Sequence, residues 1–182
     1  MVLSIGVSKG RLPGIVFGLG CALGCLSHTL LAAVGISALI AASSNIFTII
    51  KICGGLYLIW IGFNVLRHSG GAPIEKTASD KKTLHKLFLQ GILANAINPK
   101  IILFFLSFLP QFVVPQNGSV SGQIAWLGLI FTLQAAVIFA LLGYFSGSVG
   151  QYINKKPRVG KLMTHIAGIV FVGLGLRLIV GR

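Results

Sequence analysis

The 182-residue chain is 55% hydrophobic and 9% charged, with 24 glycines and a mean hydropathy of +0.93, which leaves too little polar surface to solvate a soluble domain. Its net charge of +13 would suit a polyanion, but the basic residues fall between apolar runs and not on one solvated face interleaved with stacking aromatics, so a nucleic-acid partner is excluded. What remains is an all-α, polytopic membrane helix bundle, with residues 1–182 as a single transmembrane domain.

Met1 to Val7 is apolar, too short to cross a bilayer and preceded by no basic segment, so it reads as the tail of a helix and not as a signal peptide. Lys9 and Arg11 follow, and Pro13 and Gly14 open a charge-free run to Ala42, the first expected span (13–42), with its far end near Ser43-Ser44-Asn45. The second span (47–66) carries Lys51 close enough to its start to snorkel. From 67 to 86 the composition turns polar. Gly70, Gly71 and Pro73 break structure, Lys76, Lys81, Lys82 and Lys86 accumulate, and Glu75 and Asp80 are the only acidic residues in the chain; this reads as a solvated loop.

A third span (87–114) ends at the uncharged turn Pro115-Gln116-Asn117-Gly118-Ser119. The fourth (123–148) leads to a basic loop over 151–161 with Lys155, Lys156, Arg158 and Lys161, and the fifth covers 162–180. Alternating five spans puts Lys9, Arg11, Arg67, the four lysines of the 67–86 loop and the four basic residues of the 151–161 loop on one side. Only Lys51, Arg177 and Arg182 lie on the other. The richer side is the cytoplasmic one, in a cell (inner) membrane.

Lys100 stands apart. It is the only formal charge between Leu87 and Val114 and directly follows Asn98-Pro99. In a helical run it lies roughly 20 Å from either end, the depth at which an ammonium is most costly in a bilayer. Pro99 has no amide donor and disfavours helical dihedrals at Asn98, so the helix breaks beside Lys100, and a broken helix must face protein or a polar cavity. The functional reading is that the ammonium, or the half-helix starting beside it, receives a carboxylate at mid-membrane; the competing reading is a lysine that caps carbonyls freed by Pro99.

Asn95 and Asn98, three apart on one face, with Gln90 on the same helix, either bind a substrate's ammonium through their carbonyl oxygens or bond a neighbouring helix. His28 is the one group of the first span expected to titrate near neutrality, a candidate proton relay or a core histidine bonded to a carbonyl; Gln134 on the fourth span has the same two readings. Cys21, Cys25 and Cys53 lie in or beside apolar runs without C-x-x-C spacing and read as packing thiols. The G-x-x-x-G spacings at Gly14/Gly18, Gly20/Gly24 and Gly143/Gly147 permit close helix approach, within the chain or in a homo-oligomer. Phe104, Phe105, Phe108 and Phe112 face lipid, pack, or in part line an apolar path for side chains. Aligning Gly55 with Gly168 also pairs Gly62 with Gly175, Asn64 with Arg177 and Leu66 with Ile179, an echo between two spans of opposite direction that fits a 3+3 inverted repeat.

Asn98-Pro99-Lys100 with Leu103-Phe104-Phe105 and Phe108-Leu109-Pro110-Gln111-Phe112, together with Ser8-Lys9-Gly10-Arg11, Gly20, Gly24, His28, Gly54-Gly55-Leu56-Tyr57-Leu58, Gly62, Pro157-Arg158 and Gly173-Leu174-Gly175-Leu176-Arg177, resembles the LysE/RhtB family of amino-acid exporters, of the homoserine, threonine and leucine efflux type. The resemblance covers nearly the whole chain. It implies amino-acid efflux by alternating access, energy from the proton gradient, and six spans with a Pro-Gly-Pro element in the first. That element is missing from this sequence, so either Met1 is a late start in a longer reading frame or the chain is a natural truncation.

The expected function is therefore export of a neutral amino acid or derivative, with Lys100, Asn98, Pro99 and Asn95 as the substrate-binding set and amino acid and membrane lipid as partners. A neutral substrate is expected because the spans offer no carboxylate to a cationic side chain. The alternative is a truncated, non-transporting membrane protein or a packing partner in a larger assembly. Neither cofactor nor metal is implied, and an enzyme is not expected, because two loop carboxylates cannot complete a nucleophile-base-acid set.

Overall fold

A computed structural model describes residues 1–42, 44–67 and 83–180 of the chain. The loop expected over 67–86 falls mostly outside them, with Glu75 and Asp80, as do Ser43 and the last two residues. The described elements are all helical: α1 (Val2–Lys9), α2 (Arg11–Ala42), α3 (Ser44–Arg67), α4 (Leu84–Ala96), α5 (Pro99–Phe108), α6 (Val120–Tyr144), α7 (Ser146–Lys155) and α8 (Pro157–Val180), with 3₁₀ turns at Leu109–Phe112 and Pro115–Asn117. α2, α6 and α8 each hold an uninterrupted apolar stretch long enough to cross a membrane, and α4 with α5 reaches that length as one broken span. Leu30, Val34, Trp126, Leu133 and Ile169 are among many large apolar side chains exposed on these helices, as expected of a surface solvated by lipid. The chain is a polytopic helical membrane protein.

Local chemistry sets the breaks. α1 stops at Gly10, whose φ of 99° is open to glycine and costly for other residues. α2 then starts at Arg11 with Pro13 in its first turn, where a missing N–H leaves no bond unmade. Two expectations shift further on. The fourth span ends at Tyr144, where the buried Ser146 hydroxyl donates to Gly143 O at 2.8 Å across the α6–α7 junction. The basic stretch expected as a loop over 151–161 is mostly helix: α7 runs to Lys155, and only Lys156 separates it from α8, which begins at Pro157.

The chain divides into two compact units. The first is drawn from Met1–Ser27, Ala72–Asn98 and Leu129–Val159. In it, glycines bring backbones together: a Cβ on Gly14 would lie 2.9 Å from Gly6 Cα and 3.2 Å from Gly143 Cα, so α1, α2 and α6 meet main chain to main chain. Gly20 and Gly91 do the same for α2 and α4, and Gly150 of α7 abuts Val7 of α1. Gly147, by contrast, faces open space. Most of the G-x-x-x-G glycines are thus used inside the chain.

The second unit is drawn from His28–Gly71, Pro99–Gly128 and Gly160–Arg182. Its α3 and α8 cross antiparallel through two glycine contacts, Gly55 on Gly175 and Gly62 on Gly168. A two-fold axis carrying Gly55 onto Gly168 and Gly62 onto Gly175, the pairing of the sequence echo, turns the first contact into the second. The packing of these two helices is therefore reciprocal. Phe105, Leu58, Ile124 and Leu178 form the buried core of this unit.

Candidate functional site

The break in the central run lies at Ile97 and Asn98. α4 closes with Ile97 at φ −92° and ψ 5°, its N–H on Leu93 O at 3.1 Å. Pro99 cannot donate to Asn95 O, four residues back; the Asn98 N–H takes that acceptor instead, at 2.9 Å, in the tighter 3₁₀ pattern. α5 starts at Pro99, so Lys100 occupies its first turn.

Lys100 is exposed on the isolated chain, and its Nζ stands 4.8 Å from the ring centroid of Phe171 on α8. The aromatic residues continue from there. Phe104 meets Phe171 edge-on at 6.5 Å and 89° and stacks on Phe108 at 4.7 Å, and Phe108 meets Phe112 at 4.9 Å. Phe104 also touches Phe105 at 6.2 Å, and the fully buried Phe105 lies 5.6 Å from the His28 ring. The phenylalanines of α5 thus pack on one another, and through them Lys100 and His28, 72 positions apart in sequence, belong to one side-chain cluster.

The other expected site residues are placed as follows. His28 is buried, 1% exposed, beside Thr29, whose side chain fills the space over Gly128. Asn98 and Gln90 are half-buried and Pro99 is exposed. Asn95 is buried on α4 and engaged by α2: its Nδ2 donates to Cys21 O at 2.7 Å and reaches Cys25 Sγ at 3.6 Å. Its amide thus bonds the neighbouring helix. Gln134 is exposed on α6; Thr132, two residues before it on the same helix, is buried. Of the cysteines, Cys25 is buried, Cys21 half-buried and Cys53 exposed, so Cys53 does not pack as expected. Among the described residues no three His, Cys, Asp or Glu side chains gather as a metal site.

Phe171 is the residue that reading the sequence missed. A signal existed, since it is the only Phe, Tyr or Trp between 162 and 180.

The family model of the LysE type translocator matches residues 1–182. Among curated proteins, the chain is 33% identical over 167 residues to the uncharacterized membrane protein YrhP of Bacillus subtilis (strain 168), covering 87% of this chain and 79% of that one. It is 32% identical over 173 residues to an uncharacterized membrane protein of Vibrio cholerae serotype O1, covering 94% and 79%. It is 27% identical over 186 residues to the leucine efflux protein of Enterobacter sp. (strain 638), covering 97% and 84%. No solved structure matches the chain.

Proposed function

This chain belongs to the LysE type translocator family, and on that premise we propose that it exports a neutral amino acid or close derivative across the cell membrane by alternating access, driven by the proton-motive force. The observation that carries the reading is Lys100: a cation in the first turn of α5, beside a break in an apolar run, in a chain whose only carboxylates are in the 67–86 segment. A cation in an apolar run is functional by default in a membrane, and here the ammonium is read as the receptor for a substrate's anion. The N-terminal end of α5 adds to the attraction through its helix dipole.

The substrate's carboxylate meets Lys100, and its ammonium is taken by carbonyl oxygens at the break, that of the Asn98 side chain first. Pro99 keeps the break open by denying it an amide donor. His28, buried beside Phe105, is the candidate proton carrier, the one histidine of α2. The basic segments 67–86 and 151–161 face the cytoplasm, so cargo enters from their side. The efflux activity named for the Enterobacter relative makes leucine the first substrate to try.

Cells expressing the chain and preloaded with leucine should lose it faster than cells carrying Lys100→Ala at equal membrane abundance, and a protonophore should slow the loss. Equal efflux from the two would remove Lys100 from the site. No efflux of any neutral amino acid from the unaltered chain would leave the non-transporting alternative standing.

A further inference from the structure

We infer that Phe171 is a positioning residue for Lys100: its ring face holds the ammonium at the start of α5, where an arriving carboxylate meets it. This rests on the reading of Lys100 as the carboxylate-binding group and adds the part that sets its aim. An Nζ 4.8 Å from the ring centroid is within the range at which the ring quadrupole attracts a cation.

The choice of partner matters to the chemistry. An aspartate at this place would neutralise the ammonium and compete with substrate for it. A ring attracts the charge without cancelling it and leaves N–H donors of the ammonium pointing away from its face. A flexible four-carbon stem is thereby confined without its charge being cancelled.

The ring itself is fixed. Phe104 sits edge-on to it at 89°, and Phe104 is in turn stacked on Phe108 at 18° between planes. Gly168, one turn before Phe171, is closed against Gly62 of α3. Phe171 is thus held from both the α5 and the α3 side, all within one compact unit.

The test replaces Phe171 in the full chain with mono-, di- and trifluorinated phenylalanine, which drain the ring face while keeping its shape, and reads leucine efflux from reconstituted liposomes. The KM is expected to rise step by step with fluorination, to about 2- to 30-fold overall, with the maximal rate little changed. Phe171→Trp should retain the low KM, and Phe171→Leu should match the trifluorinated form. A KM flat across the series, even with Phe171→Leu impaired, would reduce Phe171 to packing and overturn the inference. So would a fluorination effect that persists in a Lys100→Met background. The underlying reading fails separately, if Lys100→Met alone leaves the KM of the unaltered chain.

Discussion

Alanine at Gly55 or Gly62 should loosen the α3–α8 crossing by an amount the geometry specifies. A Cβ on Gly55 would lie 2.6 Å from Ile179 Cγ1 and 2.9 Å from Gly175 O; on Gly62 it would lie 2.7 Å from both Gly168 O and Val172 Cγ2. These separations are about 0.5 to 0.8 Å short of the 3.4 Å of ordinary contact. A side-chain methylene such as Ile179 Cγ1 can yield by rotation; the carbonyls cannot without moving α8. Overpacking of this size costs about 1–3 kcal/mol. Because the crossing is reciprocal, Gly168→Ala should cost about as much as Gly55→Ala, and Gly175→Ala about as much as Gly62→Ala. Within one contact the effects should not add: once Gly55→Ala has pushed the backbones apart, Gly175→Ala meets less resistance, and the double variant should fall short of the sum by about 0.5 kcal/mol or more. Unfolding of the purified chain in mixed detergent micelles measures this directly. Single substitutions all within about 0.3 kcal/mol of the unaltered chain, or strict additivity of Gly55→Ala with Gly175→Ala, would refute the crossing as described.

Three further outcomes follow from named contacts. Asn95→Leu removes the bond to Cys21 O and should lower stability by about 0.6–1.7 kcal/mol while leaving the KM for leucine unchanged; a large rise in KM would return Asn95 to the substrate site. Ser146→Ala deletes a buried hydroxyl that donates to Gly143 O and should cost about 0.5–1.5 kcal/mol in the same unfolding assay. Maleimide labelling in detergent, followed by mass spectrometry, should modify Cys53 first and Cys25 last, in the order of their exposure.

The sequence made some features readable and hid others for physical reasons. The interruption before Lys100 was readable because proline acts on its own neighbours: the lost donor and the strained preceding residue are local facts. The turn at Gly10 was not anticipated, although a left-handed glycine between Lys9 and Arg11 is also local. The α6–α7 break is harder, since Tyr144-Phe145 carries no breaker. What marks it is a serine bonding backwards to Gly143, and serine does this in continuous helices as well. Asn95 was assigned two roles by type and position, and its bond to Cys21 O, 74 positions away, is not written in the local sequence. Phe171 was hidden for a different reason. Its meaning comes from Lys100, 71 positions earlier on another helix, and apolar runs carry no mark of which aromatic ring will stand under a cation.

The glycine crossing and the Lys100 cluster are joined on α8, and the joint gives a last prediction. Gly62 faces Gly168 and Val172, the two α8 positions that flank Phe171 four residues apart, so α3 sets how near α8 lies to α5 at the level of the ring. A bulkier residue at Gly62 cannot be absorbed by a side-chain rotation, because Gly168 O and Val172 N, at 2.7 and 2.9 Å from a built Cβ, are main chain. Gly62→Val should therefore displace the Phe171 ring from Lys100 and raise the KM for efflux in the same sense as Phe171→Leu, although Gly62 touches neither residue in the contacts described. Adding Gly62→Val to Phe171→Leu should then raise the KM little further, since the ring whose position it disturbs is already gone. Full and independent effects of the two on KM would mean that α3 acts on transport by another route. An unchanged KM in a Gly62→Val chain that is destabilised by about 1–3 kcal/mol would mean that the ring keeps its place when the crossing loosens.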